Sequence, residues 1–261
     1  MVTPFDLGGK RILLVGATGI LGAEFARALV ESGASLTLAD LESSTVHALG
    51  TELGARAISI DVTDEASVAA AVADAVAAHG GLDGVVSNAA ITSEAMMTGG
   101  ESFPPFEDYP LAAWQRTLDV NLTGTFLVAR EAGRAIKHAG GGSVVLTSSV
   151  YGVIAPDHRI YQGQPFKSFP GYSASKAGVV GLARWLATWW GEDGVRVNAL
   201  SPGGITSGQP KEFADRYSAR TPLGRMAMSQ DISGALLFLL SDASSYCTGQ
   251  NLIIDGGLTA W

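Results

Sequence analysis

KRILLVGATGILG, residues 10–22, is the stretch on which the fold turns. Its first half, Lys10 to Gly16, is a short apolar run bounded upstream by Gly8 and Gly9, which predicts a strand buried on both faces of a parallel sheet. Gly16, Gly19 and Gly22 follow at even spacing, and a helical pattern then runs over Ala23–Ser32. Glycines in such a strand-to-helix turn let the backbone bend sharply and approach a pyrophosphate, whose charge rests at the helix N-terminus. The same spacing fits a tight turn that binds nothing, so the next segments matter. A second strand, Ser35–Ala39, ends in Asp40, 18 residues after Gly22. A carboxylate there would accept hydrogen bonds from the hydroxyls of an adenosine ribose and repel a 2′-phosphate. Ala17, Thr18 and Leu41 supply no cation to reverse that preference, so NAD(H) is expected over NADP(H). Asp40 can also cap the following helix, and the two roles are compatible.

Outward from this unit the alternation continues. Ala55–Ile60 reads as strand, Asp64–His79 as helix with Asp64 or Thr63 as cap, and Gly84–Ser87 as strand. A long helix near Leu111–His138, a strand over Gly142–Ser148, a helix over Ala174–Gly191, and a strand over Val195–Leu200 follow. A helix near Asp231–Leu240 and a strand at Asn251–Ile254 complete the pattern. Regular β/α alternation predicts an α/β fold, a doubly wound parallel sheet of about seven strands in three layers. Three stretches interrupt it, at 92–106, 155–170 and 203–228. The last contains helix breakers and reads as a mobile flap. Asp61-Val62 and Asn88-Ala89-Ala90 fall at strand carboxyl ends, where a nucleotide lies in such sheets, although ordinary turn chemistry also favours Asp and Asn there.

The chain has 261 residues, 47% hydrophobic, enough for one large domain over residues 1–261. A formal charge of −8 and a pI of about 4.9, with both signs interspersed, argue against a nucleic-acid surface. The lone cysteine, Cys247, cannot close an internal disulfide, and His47, His79, His138 and His158 are far apart, so no metal is expected. No basic segment leading into an apolar one opens the chain, and no run of 18 apolar residues occurs. A cytoplasmic protein without membrane contact is the expectation.

Tyr172-Ser-Ala-Ser-Lys176 places a phenol and an ammonium four residues apart on one face of a helix. A nearby ammonium favours the phenolate, which makes Tyr172 a candidate general acid/base near neutral pH. Taken alone, the pair also fits an exposed tyrosine at a helix start. Farther along, Leu182, Trp185, Leu186, Trp189 and Trp190 make a wide apolar face. Two adjacent tryptophans on such a helix point to a second apolar surface used for subunit contact.

Together with Asn121 in DVNLTG, Ser148-Ser149-Val-Tyr-Gly152, Asn198 in RVNALSPGG and the closing TGQNLIIDGG, these motifs resemble the short-chain dehydrogenases/reductases, in their single-domain branch, over nearly the whole chain. The resemblance implies that Tyr172 exchanges a proton with the substrate oxygen and that Ser149 hydrogen-bonds that oxygen. Lys176 would lower the pKa of Tyr172 and hold the nicotinamide ribose, and Asn121 would anchor a water leading protons to solvent. Cofactor contacts are implied for Gly16, Thr18, Gly19, Ile20, Leu21 and Asp40, for Asp61 and Val62 at the adenine, and for Asn88, Ala89 and Ala90. Pro202, Gly203, Ile205 and Thr206 or Ser207 would meet the nicotinamide end. Two spacings depart from the family. The turn is GxxGxxG where this branch more often has GxxxGxG, which leaves Gly22 the least secure contact. PGGITS puts Thr206 one position early and leaves Ser207 as the aligned hydroxyl.

A third departure is the separation of Ser149 from Tyr172, 23 positions, wider than is usual in the family. The extra residues, within Ala155–Pro170, include His158, Arg159, Tyr161, Gln164 and Lys167. Arg159 and Lys167 are candidate contacts for a carboxylate or phosphate on the substrate, Tyr161 and Gln164 suit a hydroxyl-rich one, and subunit contact is the alternative use. A similar YGxxAPxxxIY run occurs in family members acting in surface-sugar and nonulosonate pathways, which implies a sugar, sugar acid or activated sugar. Met96, Met97, Phe103 and Phe106 would add an apolar wall. The expectation is an NAD(H)-dependent oxidoreductase interconverting a secondary alcohol and a ketone. Reduction of 3-oxoacyl or other small ketones is the alternative, and a non-catalytic nucleotide sensor is the rival of another class. A homotetramer or homodimer is implied, with Leu111–His138, Ala174–Gly191 and Leu258–Trp261 at its interfaces.

Overall fold

The computed structural model describes residues 3–92, 103–164 and 166–261. Most of the expected loop at 92–106, with Met96 and Met97, lies outside the described residues. The strands are β1 Arg11–Val15, β2 Ser35–Asp40, β3 Arg56–Ser59, β4 Gly84–Ser87, β5 Gly142–Thr147, β6 Val195–Pro202 and β7 Asn251–Ile254. They pair in parallel as one seven-stranded sheet in the order β3-β2-β1-β4-β5-β6-β7. The central strands β1, β4 and β5 read as largely apolar runs because helices cover both their faces, whereas β3, at one edge, exposes Arg56 and Ser59.

After β3 the chain returns to the other side of β1 to form β4, so the connections at the carboxyl ends of β1 and β4 diverge and leave a crevice. Val15 pairs with Ala39 on one side and with Ser87 on the other. Gly16, Asp40 and Asn88 therefore emerge side by side at one edge of the sheet.

The helices are α1 Ile20–Glu31, α2 Val46–Leu53, α3 Glu65–His79, α4 Leu111–Leu118, α5 Gly124–His138, α6 Pro170–Trp190, α7 Lys211–Ser218 and α8 Gln230–Leu240. Phe25 and Leu29 of α1 and Leu236 and Leu239 of α8 pack with Leu14, Leu38 and Val86 on one face of the sheet. Val68 of α3, Val128 of α5 and Val179 and Leu186 of α6 pack with Leu13, Val15 and Leu146 on the other. A smaller cluster joins Ile160, Tyr161 and Phe166 to Phe213 and Tyr217 of α7. Asp64 is the cap of α3, accepting the N–H of Ala66 at 2.9 Å. Among the described residues no helix is long and apolar enough to cross a membrane.

Three elements differ from the sequence-based reading. Leu111–His138 is not one helix, because Asp119–Thr123 widens into a π turn between α4 and α5. The stretch 203–228 contains α7, whose apolar residues Phe213 and Tyr217 are too few to show a period. Asp40 does not cap α2, which begins only at Val46. On α6, Leu186 and Trp190 are buried while Trp185 and Trp189, 57% and 65% exposed, stack on each other at 5.3 Å, so the helix does carry two apolar surfaces.

The three glycines of the first turn have different duties. Gly16 adopts φ +80°, and a Cβ on Gly22 would overlap the carbonyl of Gly16. Gly19, in contrast, has φ −67° and room for a Cβ. Gly22→Ala is expected to lower stability by about 1–3 kcal/mol in urea titrations, and Gly19→Ala to leave it within about 0.5 kcal/mol. Equal losses would contradict this division of roles.

Candidate active site

The carboxyl end of β5 delivers Thr147, Ser148 and Ser149, and α6 lies across it. Lys176 is only 2% exposed, and its Nζ donates to the carbonyl of Thr147 at 2.8 Å. Ser148 Oγ donates to the carbonyl of Lys176 at 2.7 Å, locking the helix to the strand. Burial pushes the Lys176 ammonium down to about 8. Its Nζ sits 5.8 Å from the centre of the Tyr172 ring, which packs in turn against Phe169. Ser149, also buried, accepts the N–H of Tyr151 at 3.1 Å. Tyr172, Lys176 and Ser149 line one cavity of about 420 Å³.

Asn121 reaches this group through the π turn. Its Oδ1 accepts the N–H of Ile91 at 2.7 Å, and its Nδ2 donates to the carbonyl of Ile91 at 3.1 Å and to Ser175 Oγ at 3.3 Å. A π turn adds a residue to the helical ring and so changes which side chain faces inward. Here it turns an amide that is fully buried toward the loop after β4 and the first turn of α6.

The cavity continues over the crevice. Gly19, Ile20 and Leu21 line it at the start of α1, where no side chain among the described residues caps the helix and its first N–H groups can face an anion. Asn88 donates from Nδ2 to the carbonyl of Gly16 at 3.0 Å and holds the turn in shape, with Ala90 beside it in the lining. Pro202, Gly203, Ile205 and Ser207 line the far end, whereas Thr206 does not. Asp40 fastens the turn as well: Oδ2 takes the N–H and hydroxyl of Thr18 at 2.8 and 2.7 Å, and Oδ1 takes the N–H of Leu41 at 2.8 Å. Asp61 Oδ1 accepts the N–H and hydroxyl of Thr63 at 2.9 and 2.7 Å. Val62 is buried against Gly124, and Ala89 closes on Gly16.

The insertion contributes differently from what its charges suggest. Arg159 pairs with Asp157 and is 81% exposed, Lys167 is exposed, and neither lines the cavity. Tyr161, Phe166, Ser168 and Phe169 do, facing Phe213, Tyr217 and Met226 from the 203–228 stretch. Of these wall residues the sequence reading named Tyr161 and missed the others. Their one visible signal was the share of apolar and aromatic side chains in a segment that otherwise read as a polar surface loop.

Comparison with known proteins follows the same lines. A family model described as enoyl-(acyl carrier protein) reductase matches residues 16–259. The chain is 37% identical over 260 residues to cis-4-hydroxycyclohexanecarboxylate dehydrogenase of Sinomonas cyclohexanicum, covering 96% of this chain and 97% of that protein. It is 37% identical over 265 residues to D-threitol dehydrogenase of Mycolicibacterium smegmatis, covering 98% and 95%. The crystal structure of a gluconate 5-dehydrogenase from Burkholderia cenocepacia J2315, in complex with NADP and tartrate, superposes with a TM-score of 0.87 at 29% identity, covering 99% of this chain and 98% of that one.

The buried ammonium makes a prediction that needs no substrate. With the folded value near 8 and the ordinary value 10.5, the unfolded chain binds the extra proton between them. The contribution of Lys176 to stability therefore rises as pH climbs from 8 to 10.5 and is lost as pH falls through 8. The stability of wild type minus that of Lys176→Met, from urea titrations, should grow by about 2–3 kcal/mol between pH 7 and pH 10.5. A difference independent of pH would contradict a buried ammonium.

Proposed function

Because the chain belongs to the short-chain dehydrogenase/reductase family, we propose that it is an NAD(H)-dependent oxidoreductase that interconverts a secondary alcohol and a ketone, with a sugar-like substrate. The observation that carries the reading is the meeting of Ser149, Tyr172 and Lys176 in one cavity, with Asn121 fixed behind them. In reduction Tyr172 gives its proton to the carbonyl oxygen, and in oxidation it takes the hydroxyl proton. Ser149 holds that oxygen by a hydrogen bond. Lys176, whose ammonium lies beside the Tyr172 ring, stabilises the phenolate. Asn121 anchors the water through which the proton passes to solvent.

The residues present fit a dinucleotide. The uncapped start of α1 suits its pyrophosphate, and the open face of Gly19 lets it approach. Thr147 Oγ1, buried in the lining beside Lys176, has no hydrogen-bond partner among the described residues and can meet a ligand hydroxyl. Asp61 and Val62 would hold the adenine, Asp40 its ribose, and Ile205 and Ser207 the carboxamide. When bound, the cofactor supplies the two-electron exchange as hydride. The preference for NAD rests on Asp40, a carboxylate held rigidly by Thr18 and Leu41 with no lysine or arginine in the adjoining turn.

The sugar-like preference draws support from the threitol and gluconate relatives. Assembly into a homotetramer or homodimer draws support from the exposed Trp185–Trp189 stack and from Phe126 and Leu111, also exposed on α5 and α4.

Tyr172→Phe should lower turnover by about 10²–10⁴-fold while NADH affinity, read by fluorescence titration, stays within about twofold. Full activity in that variant would refute the mechanism, and a wild type that binds NADH but oxidises no alcohol would favour the sensor. Asp40→Ala should raise the NADP/NAD ratio of kcat/KM by about tenfold or more; a wild type that prefers NADP would refute the cofactor reading.

A further inference from the structure

The substrate end of the cavity has a chemical character that the established family does not fix. Its wall is aromatic: Phe166 and Phe213 pack around the Tyr161 ring, at 5.9 and 5.3 Å between centroids. Lys176 is the only charged side chain among the described lining residues, and it already donates to the Thr147 carbonyl beneath Tyr172. The arginines around the insertion are bound to the protein itself. Arg159 and Arg220 share Asp157, and Arg216 donates to the carbonyls of Ile160 and Gln162. A carboxylate or phosphate entering here would be stripped of water without a counter-ion.

Two polar features interrupt the wall. Tyr151 and Tyr161 join hydroxyl to hydroxyl at 3.0 Å, and either oxygen can be the donor. When Tyr161 donates, the Tyr151 proton is directed elsewhere; when Tyr151 donates, its oxygen can accept. Reversal of one bond thus lets Tyr151 face a ligand hydroxyl or a ligand carbonyl. Burial raises the pKa of Tyr151 and keeps it neutral. Ser168, 7% exposed, is the second feature: its Oγ is buried with no hydrogen-bond partner among the described residues. A buried hydroxyl left so is costly unless a ligand meets it. The remaining phenol of the wall, Tyr217, accepts the N–H of Gly204 at 2.5 Å.

We propose that the cavity selects an uncharged, polyhydroxylated substrate, ring-shaped to suit the aromatic wall, and that Tyr151, through its pair with Tyr161, and Ser168 read the hydroxyls remote from the reacting carbon. This rests on the oxidoreductase reading and narrows it: a neutral sugar or cyclic polyol fits, and a sugar acid or nucleotide-activated sugar does not.

The test uses three compounds that share a six-membered ring: cyclohexanol, cyclohexane-1,4-diol and 4-hydroxycyclohexanecarboxylate. Each is assayed by NAD⁺ reduction with wild type, Tyr151→Phe and Ser168→Ala. Wild type should favour the diol over the other two in kcat/KM by about tenfold or more. At least one of the two variants should lower that value for the diol by about fivefold or more and leave cyclohexanol within about twofold. A wild type that prefers the carboxylate, or variants that depress both neutral compounds alike or neither, would overturn the proposal. Calorimetric titration of the same compounds into the protein with NADH reads selectivity without turnover. A diol preference that disappears in the variants upholds the wall assignment even if no alcohol is oxidised, in which case the oxidoreductase reading alone fails; no preference overturns the assignment.

Discussion

A cation kept away from water governs the geometry of the sheet's carboxyl edge. Lys176 can be buried only if something accepts from its ammonium, and the Thr147 carbonyl at the end of β5 does so. That bond fixes how far α6 stands from the strand. The return bond from Ser148 to the Lys176 carbonyl fixes its rotation, and Gly152 packs so closely on that same carbonyl that no side chain could replace its hydrogen. Once α6 is held this way, Tyr172, one turn earlier, has little choice of position. The cost of burying the charge is carried in the lowered pKa of Lys176.

The fold was legible because two-sided burial leaves a direct trace. β1, β4 and β5 are largely apolar runs with turn residues at their ends, and such runs can be recognised without knowing what they pack against. The reacting residues were legible for a related reason: Ser149, Tyr172 and Lys176 lie on or beside regular elements, so sequence spacing converts to distance. Asn121 was named from its motif, but the π turn that aims it was not visible. The amide it aims is held by the Ile91 backbone, 30 residues away, a contact that no local period encodes.

The substrate wall was the least legible part. Arg159 and Lys167 drew attention because charge in a loop resembles a binding group. Whether such a group reaches a ligand depends on what the loop packs against, and here Tyr161 and Phe166 turn inward to meet Phe213 while the cations stay outside or pair with Asp157. The partner in that packing, α7, lies some fifty residues downstream and has too few apolar positions to announce itself. Reading the loop correctly required knowing a contact between two segments that are each irregular in sequence.

The fastening of the insertion by Arg216 has a consequence for divergence. Arg216 grips main-chain carbonyls, at Ile160 and Gln162, and not side chains. A carbonyl is present whatever residue occupies the position, so the anchorage survives substitution on the loop it secures. Mutational drift at Gln162 and Gln164 can then accumulate without loosening the loop, and a lineage can explore new ligand preferences from a scaffold that stays attached throughout.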